Sequence, residues 1–149
     1  MNITFLDSST LTRGDIDFSS LEALGSLTCH EHTAPSEVVA RCADAEVILT
    51  NKVILDAGVI QSLPALKLIL VCATGVNVID LKAAAERGIP VCNVAGYSTP
   101  SVAQHAAALL LSLSTKVHRL ASEHEEWPRS PIFTRLTHSV TELAGKFDK

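Results

Sequence analysis

Short apolar runs alternate with amphipathic stretches along residues 2–95 of this chain. Runs rich in Ile, Val and Leu predict strands, and apolar residues spaced three or four apart predict helices. The predicted strands are 2–6, 26–30, 46–50, 67–73 and 89–95. The predicted helices between them are 35–44, 55–63 and 78–88. Strands that alternate with helices in this way predict an α/β fold, a doubly wound parallel sheet of about five strands of the flavodoxin-like type.

Two of these elements, a strand and a helix, are clearly marked in the sequence. The run KLILVCA at 67–73 is apolar throughout, which is typical of a strand buried on both faces. The helix 78–88 has Asp80 as its predicted N-cap and Gly88 as its predicted stop. These signals make 67–73 the clearest of the predicted strands and define both ends of the helix 78–88.

A long helix is predicted at 100–122, after the last strand. Thr99 is suited to cap this helix, and Pro100 is suited to its first position. Val, Ala and Leu occupy every side of the helix between 102 and 113, a pattern typical of a helix that is buried all round. One sheet can cover only one side, so we expect a second domain or a second subunit to cover the rest. Two prolines predict a loop at 125–133.

Charge and composition exclude several classes of protein. The net charge of −4 argues against nucleic acid or an anionic membrane as a partner, because both require a basic surface. The apolar run 106–111 is too short to cross a bilayer, and the first residues lack the pattern of a signal peptide. The cysteines show no metal-binding spacing, so we expect buried, reduced thiols in a cytoplasmic protein. They are Cys29, Cys42, Cys72 and Cys92.

Three segments that follow predicted strands are rich in small and polar residues. They are TNK at 50–52, CATGVN at 72–77 and NVAGYSTP at 93–100. Ligands of doubly wound sheets bind beyond the carboxyl ends of the strands, so these segments predict a site at one edge. Gly75 would let the backbone approach an anion closely, and Lys52 would add a positive charge. The alternative is that these residues only form ordinary turns, and the pattern by itself leaves both open.

The segment ATGVNVIDLKAAAERGIPVCNVAGYSTPSVAQHAAALLL strongly resembles the N-terminal half of the D-isomer-specific 2-hydroxyacid dehydrogenases, nearest to their glycerate dehydrogenase (hydroxypyruvate reductase) branch. TNKVILD at 50–56 fits the family as well. The resemblance implies that the backbone N–H groups of Thr74 and Gly75 hold the substrate carboxylate. It also implies that Asn51 and Lys52 line the same pocket and that Val102 lies against the nicotinamide of the cofactor.

The same resemblance implies a division of the chain. Residues 1–98 would be the N-terminal part of the substrate-binding (catalytic) domain, and 99–149 would hold an interdomain and dimerisation helix and the start of a nucleotide-binding domain. The 149 residues contain no Gly-x-Gly-x-x-Gly motif, and the family's catalytic Arg, Glu and His have no counterpart here. We therefore expect NAD(P) in the complete enzyme, no cofactor bound by this chain alone, and a homodimer formed through 100–122.

The histidines do not replace the missing catalytic residue. We interpret His105 as a buried, hydrogen-bonded side chain of the long helix. His30 and His32 are predicted to share one face of a strand, a pair without the third ligand that zinc needs. No residue is assigned a catalytic or a metal-binding role.

Two functions remain open. The chain is either the N-terminal part of an NAD(P)-dependent oxidoreductase of small D-2-hydroxy acids, inactive by itself, or a stand-alone module. Such a module would bind a 2-keto acid or pair with a related full-length chain, without catalysis.

Overall fold

A computed structural model describes residues 1–122 and 129 of the protein. The chain divides into two units: one comprises Met1–Tyr97, and the other begins at Ser98. Apart from residue 129, the loop predicted at 125–133 lies outside the described residues, as does the segment TELAGK.

The first unit is built on one parallel sheet of five strands in the order β2-β1-β3-β4-β5. The strands are β1 (Asn2–Phe5), β2 (Ser26–Cys29), β3 (Val47–Thr50), β4 (Leu68–Val71) and β5 (Val91–Asn93). This order is that of a flavodoxin-like doubly wound sheet, and it confirms the predicted fold class. Each strand is shorter than predicted, because the flanking residues turn into the loops.

Short helices connect the strands. They are α1 (Ser19–Glu22), α2 (Val38–Arg41), α3 (Ala57–Gln61) and α4 (Leu81–Glu86). Two 3-10 turns, Ser8–Thr10 and Pro35–Glu37, follow β1 and precede α2. The segments Ser8–Thr10 and Ser19–Glu22 were not predicted, because single turns carry too few residues to show a helical period.

The boundary signals of α4 are confirmed. The carboxylate of Asp80 accepts a hydrogen bond from the backbone N–H of Ala83 at 3.0 Å. Gly88 adopts a left-handed conformation with φ of 66°, which ends the helix. Asp56 caps α3 in the same way, through the N–H of Val59 at 2.8 Å. Local side-chain to backbone bonds therefore set where both helices begin.

The two faces of the sheet are covered unequally. Helices α2, α3 and α4 pack on one face, over a core that includes Ile48, Ile60 and Ile69. The other face carries Phe5, in edge-to-face contact with Phe18. Within the described residues α1 and Phe18 cover only the β1 side of that face, so the prediction that 67–73 is buried on both faces is wrong. Leu68, Leu70 and Cys72 remain half-buried.

The predicted burial of the cysteines is only partly right. Cys42 is buried and Cys72 is half-buried, but Cys29 and Cys92 are exposed. Those two lie on the edge strands β2 and β5, on the less covered face of the sheet. All four thiols are unpaired. Apolar sequence around a cysteine therefore did not guarantee burial at the edges of the sheet.

The second unit opens with α5 (Thr99–Thr115), followed by α6 (Val117–Ser122). The single helix predicted at 100–122 is wrong, because Lys116 adopts a left-handed conformation with φ of 55° that interrupts the helical hydrogen bonds. Ser98, not Thr99, is the N-cap residue, so Thr99 and Pro100 are the first two helical residues. No side chain of α5 is buried.

Candidate active site at the carboxyl edge of the sheet

The three polar segments singled out in the sequence follow β3, β4 and β5, which are neighbours in the sheet. The N–H of Cys72 donates to the carbonyl of Thr50 at 2.8 Å, which ties the end of β4 to the end of β3. The N–H of Val94 donates to the carbonyl of Ala73 at 3.0 Å, which ties the end of β5 to β4. The fold therefore brings these segments together at one edge.

The loop after β4 presents backbone donors at this edge. Thr74 and Gly75 are exposed, and their N–H groups donate to no acceptor among the described residues. The carbonyl of Thr74 accepts a hydrogen bond from the side-chain amide of Asn93 at 2.6 Å, and Thr74 Oγ1 donates to the carbonyl of Val94 at 3.1 Å. The carbonyl and the side chain are thus engaged within the protein, while the N–H groups remain available to a ligand.

Gly75 contributes space rather than unusual backbone geometry. A Cβ placed on Gly75 would lie 3.0 Å from Oδ1 of Asn77, tighter than ordinary van der Waals contact. Gly75 is not among the glycines with positive φ. The absence of a side chain therefore keeps the loop open at the point where its backbone faces solvent.

The loop after β3 is held by a residue that the sequence analysis did not single out. Asp7 follows β1 and is only 3% exposed. Its Oδ2 accepts hydrogen bonds from the N–H groups of Asn51 at 3.2 Å, Lys52 at 2.6 Å and Val53 at 3.3 Å, and its Oδ1 accepts from Asn51 at 2.9 Å. The sequence feature that could have revealed Asp7 is its position directly after the apolar run ITFL, at the edge of the sheet where ligands bind.

The predicted substrate residues Asn51 and Lys52 differ in what their side chains do. Asn51 Nδ2 donates to Oγ1 of Thr10 at 3.0 Å, so this side chain braces the β1 loop. Lys52 is exposed, and none of the ion pairs found among the described residues includes it. Of these two side chains, only that of Lys52 carries a charge, and it is in a position to meet a ligand.

A cavity of about 440 Å³ lies where the loops after β1, β2 and β3 meet, at the point where the strand order reverses. Asp7 and Lys52 line this cavity, whereas Thr74 and Gly75 are not among its lining residues. Its other lining residues are Thr10, His32, Thr33, Pro35, Val53, Ile54, Asp56 and Val59. The predicted substrate residues therefore fall into two groups at the ends of adjacent strands.

The charge of Asp7 reaches the neighbouring strand. The pKa of the Cys72 thiol is raised, mainly by burial and in addition by the Asp7 carboxylate. Burial alone raises the pKa of Cys42 to about 11. Neither thiol is set up as a nucleophile, because a reactive cysteine requires a lowered pKa.

The remaining predicted residues belong to the second unit or to the loop after β2. Val102 is exposed in the first turns of α5, where its N–H donates to the carbonyl of Ser98. The prediction that His105 is buried is wrong, since it is exposed on α5. The predicted strand position of His30 and His32 is also wrong, because β2 ends at Cys29 and both residues lie in the following loop. There Oγ of Ser9 lies 3.1 Å from Nδ1 of His32.

The described part of the chain contains no group of three or more His, Cys, Asp or Glu side chains that could hold a metal ion. None of its helices has the length and apolar character to cross a membrane.

Residues 6–144 match the family model described as D-isomer specific 2-hydroxyacid dehydrogenase, catalytic domain. The chain belongs to this family. It is 38% identical to a hydroxypyruvate reductase of Blautia hydrogenotrophica, over 98% of this chain and 47% of that protein. It is 34% identical to a glycerate dehydrogenase of Methylorubrum extorquens, over 74% of this chain and 36% of that protein. The chain thus spans about half the length of the first of these relatives and about a third of the second.

Two solved structures share the fold of this chain. A 2-hydroxyacid dehydrogenase from Ketogulonicigenium vulgare Y25 superposes with a TM-score of 0.68 at 26% identity, over 93% of this chain and 44% of the other. The NADPH-dependent glyoxylate/hydroxypyruvate reductase of Sinorhizobium meliloti, in complex with NADP and malonate, has a TM-score of 0.62 at 23% identity. This second match covers 91% of this chain and 41% of the other.

Proposed function

We propose that residues 1–98 bind the carboxylate of a small D-2-hydroxy or 2-keto acid as part of an NAD(P)-dependent oxidoreductase. The single observation that carries this proposal is that the N–H groups of Thr74 and Gly75, at the carboxyl edge of the sheet, have no acceptor within the described residues. Membership of the family supports the class of reaction. The relatives named hydroxypyruvate reductase and glycerate dehydrogenase favour hydroxypyruvate and glycerate, or glyoxylate, as the substrate class.

Two runs of backbone amides at this edge differ in whether a group of the described residues already accepts their hydrogen bonds. The N–H groups of Asn51, Lys52 and Val53 are already directed at Asp7. Those of Thr74 and Gly75 have no acceptor within the described residues. Adjacent backbone N–H groups bind anions well, so the loop after β4 is the better site for the substrate carboxylate. Lys52 would add attraction from the neighbouring loop.

The cofactor requires residues of a different kind. A dinucleotide pyrophosphate is held by a glycine-rich turn at the start of a helix, and the 149 residues contain no Gly-x-Gly-x-x-Gly motif. The described residues therefore supply no site for the pyrophosphate of the cofactor. Val102 remains the one residue proposed to contact the nicotinamide, as the family resemblance implies.

The 149-residue chain, labelled with ¹⁵N, should show this site directly. On titration with hydroxypyruvate we expect the amide resonances of Thr74 and Gly75 to shift the most. Lys52→Gln should weaken the binding several-fold, because one charge beside a carboxylate is removed. Lys82→Gln, on the exposed surface of α4, is the matched control and should leave the affinity unchanged. Shifts confined to other loops, or none at saturating ligand, would overturn the proposal.

We further propose that α5 and α6, at 99–122, mediate dimerisation. Four leucines of α5 each expose more than half of their residue surface: Leu109, Leu110, Leu111 and Leu113. Such an apolar surface is costly in water and is typical of an interface. Light scattering should give the mass of a dimer, and Leu110→Glu combined with Leu113→Glu should give a monomer. Leu24→Glu, at an exposed leucine of the first unit, is the control. A monomeric wild type would contradict this assignment.

A stand-alone module that binds a 2-keto acid or pairs with a related chain is the second candidate. The exposed leucines of α5 favour a module that pairs with another chain over a module that acts as a monomer. It differs from the first proposal in one measurable respect: the chain would bind the acid without supporting hydride transfer in any complex.

We also propose a cytoplasmic location, because all four thiols are unpaired, as is usual in a reducing compartment.

A further inference from the structure

Asp7 lies inside a ring of backbone donors and is the only anion that they contact in the described part of the chain. Three consecutive N–H groups, those of Asn51, Lys52 and Val53, converge on one oxygen, Oδ2. Consecutive N–H groups that converge in this way form the type of concavity that binds phosphate or carboxylate ions in other proteins. Here a side chain of the same protein occupies it.

Within the described residues, backbone N–H groups rather than a cation compensate the Asp7 carboxylate. None of the ion pairs found among the described residues includes Asp7, although the side chain is almost fully buried. A buried charge is costly unless it is compensated, so these N–H dipoles provide its stabilisation. The two elements depend on each other: the loop compensates the carboxylate, and the carboxylate holds the loop.

We propose that Asp7 is a positioning residue that occupies the amides of the β3 loop and thereby keeps them from competing with Thr74 and Gly75 for the substrate carboxylate. This inference rests on the proposed function, in which Thr74 and Gly75 bind the substrate carboxylate. Without Asp7, the loop at 51–53 would offer a competing anion site one strand away. The fixed backbone of Lys52 also sets the position from which its side chain extends.

The geometry provides a route for a direct test. Asp7 lines the cavity of about 440 Å³, so a small anion from solvent can reach the position that its carboxylate vacates. In Asp7→Ala, formate should bind there and restore the hydrogen bonds. We expect formate to move the amide resonances of Asn51, Lys52 and Val53 back towards their wild-type positions. The wild-type chain should show no response at these amides, since the carboxylate is already present.

Asp56→Asn is the matched control. Asp56 lines the same cavity and carries the same charge, but its carboxylate caps α3 through Val59. Formate should leave the amides of residues 51–53 unmoved in this variant. If formate moves nothing at these amides in folded Asp7→Ala, or moves them equally in the wild type, the proposal is overturned.

A near-isosteric variant covers the case in which Asp7→Ala does not fold. In Asp7→Asn the side chain keeps one acceptor and loses the charge, so hydrogen exchange at residues 51–53 should accelerate on the order of tenfold. Exchange at Ile69 in the central strand should not change. Unaltered exchange at residues 51–53 would overturn the proposal. So would failure of both variants to fold, because Asp7 would then act on stability rather than on positioning.

Titration of the wild type and of Asp7→Ala with hydroxypyruvate tests this inference separately from the proposed function on which it rests. In the wild type hydroxypyruvate should shift the Thr74 and Gly75 amides the most and those of residues 51–53 little, and in Asp7→Ala it should shift those of residues 51–53 strongly as well. If it shifts no amide in the wild type, the proposed function fails, while a response of the Asp7→Ala amides to formate would still establish the internal anion. If the wild type binds at Thr74 and Gly75 and the variant gains no second site, the positioning role fails alone.

Discussion

The side-chain amide of Asn93 donates a hydrogen bond to the carbonyl oxygen of Thr74 at 2.6 Å. Asn93 is the last residue of β5, and Thr74 belongs to the loop after β4. The bond orients the peptide between Thr74 and Gly75, and it therefore directs the N–H of Gly75. A side chain on one strand thus fixes the donor geometry of the next.

Removing this bond should weaken binding more than it weakens the fold. In Asn93→Ala we expect the affinity for hydroxypyruvate to fall several-fold, because the loop loses its orientation, while Asn93 is exposed and its loss costs about 1 kcal/mol or less of unfolding free energy. Calorimetric titration and chemical denaturation measure the two effects. Asn2→Ala removes a similar bond, to the carbonyl of Asp44, at the amino end of the sheet, and should leave affinity intact. Equal affinities for Asn93→Ala and the wild type would contradict this.

A methyl group at position 75 should also obstruct the ligand. In Gly75→Ala the new Cβ lies 3.0 Å from Oδ1 of Asn77, an exposed side chain that can move aside. We therefore expect little change in stability and a marked loss of carboxylate binding, because the methyl crowds the open side of the loop. Gly58→Ala in α3 is the control glycine and should not affect binding. If the affinity of Gly75→Ala is unchanged, the ligand does not approach this backbone.

Cys42 should make the protein less stable at alkaline pH. Burial raises the pKa of its thiol to about 11 in the folded state, so above pH 9 the unfolded chain releases a proton that the folded chain retains. The free energy of unfolding should therefore fall between about pH 9 and about pH 11, by up to roughly 3 kcal/mol. Denaturant unfolding at several pH values measures this fall. It should be absent from Cys42→Ala and present in Cys92→Ala, whose thiol is exposed. If the unfolding free energy of Cys42→Ala falls by the same amount, other groups cause the loss of stability.

The capping carboxylate of α4 should have a measurable effect on stability. Asp80→Ala removes the acceptor of the Ala83 N–H and should lower the unfolding free energy by about 1 kcal/mol. Asp80→Asn keeps an oxygen in the same place and should lose much less. Chemical denaturation compares the two variants. Equal losses would show that the charge of Asp80, rather than the cap, stabilises the helix.

The chain alone should not reduce hydroxypyruvate. Rate enhancement by a dehydrogenase needs the cofactor held beside the substrate, and the 149 residues contain no dinucleotide-binding motif. The absorbance of NADH should therefore stay constant when the chain, NADH and hydroxypyruvate are mixed. Oxidation of NADH at a rate proportional to the chain concentration would refute this expectation.

The sequence by itself determined the order and type of the main elements, because these depend on local properties. Apolar runs such as ILV in β4 and the caps at Asp80 and Gly88 are encoded within a few residues, and each was recognisable in the chain. The carboxyl-edge loops were recognisable for the same reason, since small and polar residues interrupt apolar runs there.

Only the tertiary structure decided which groups at that edge are free. Asp7 and Lys52 are 45 residues apart, and their hydrogen bond forms because β1 and β3 are neighbours in the sheet. The exposure of Cys92 likewise follows from the edge position of β5, and the break at Lys116 follows from a single left-handed residue. Hydrogen-bond partners and burial depend on strand order and packing, which join residues distant in the chain, and no local pattern encodes them.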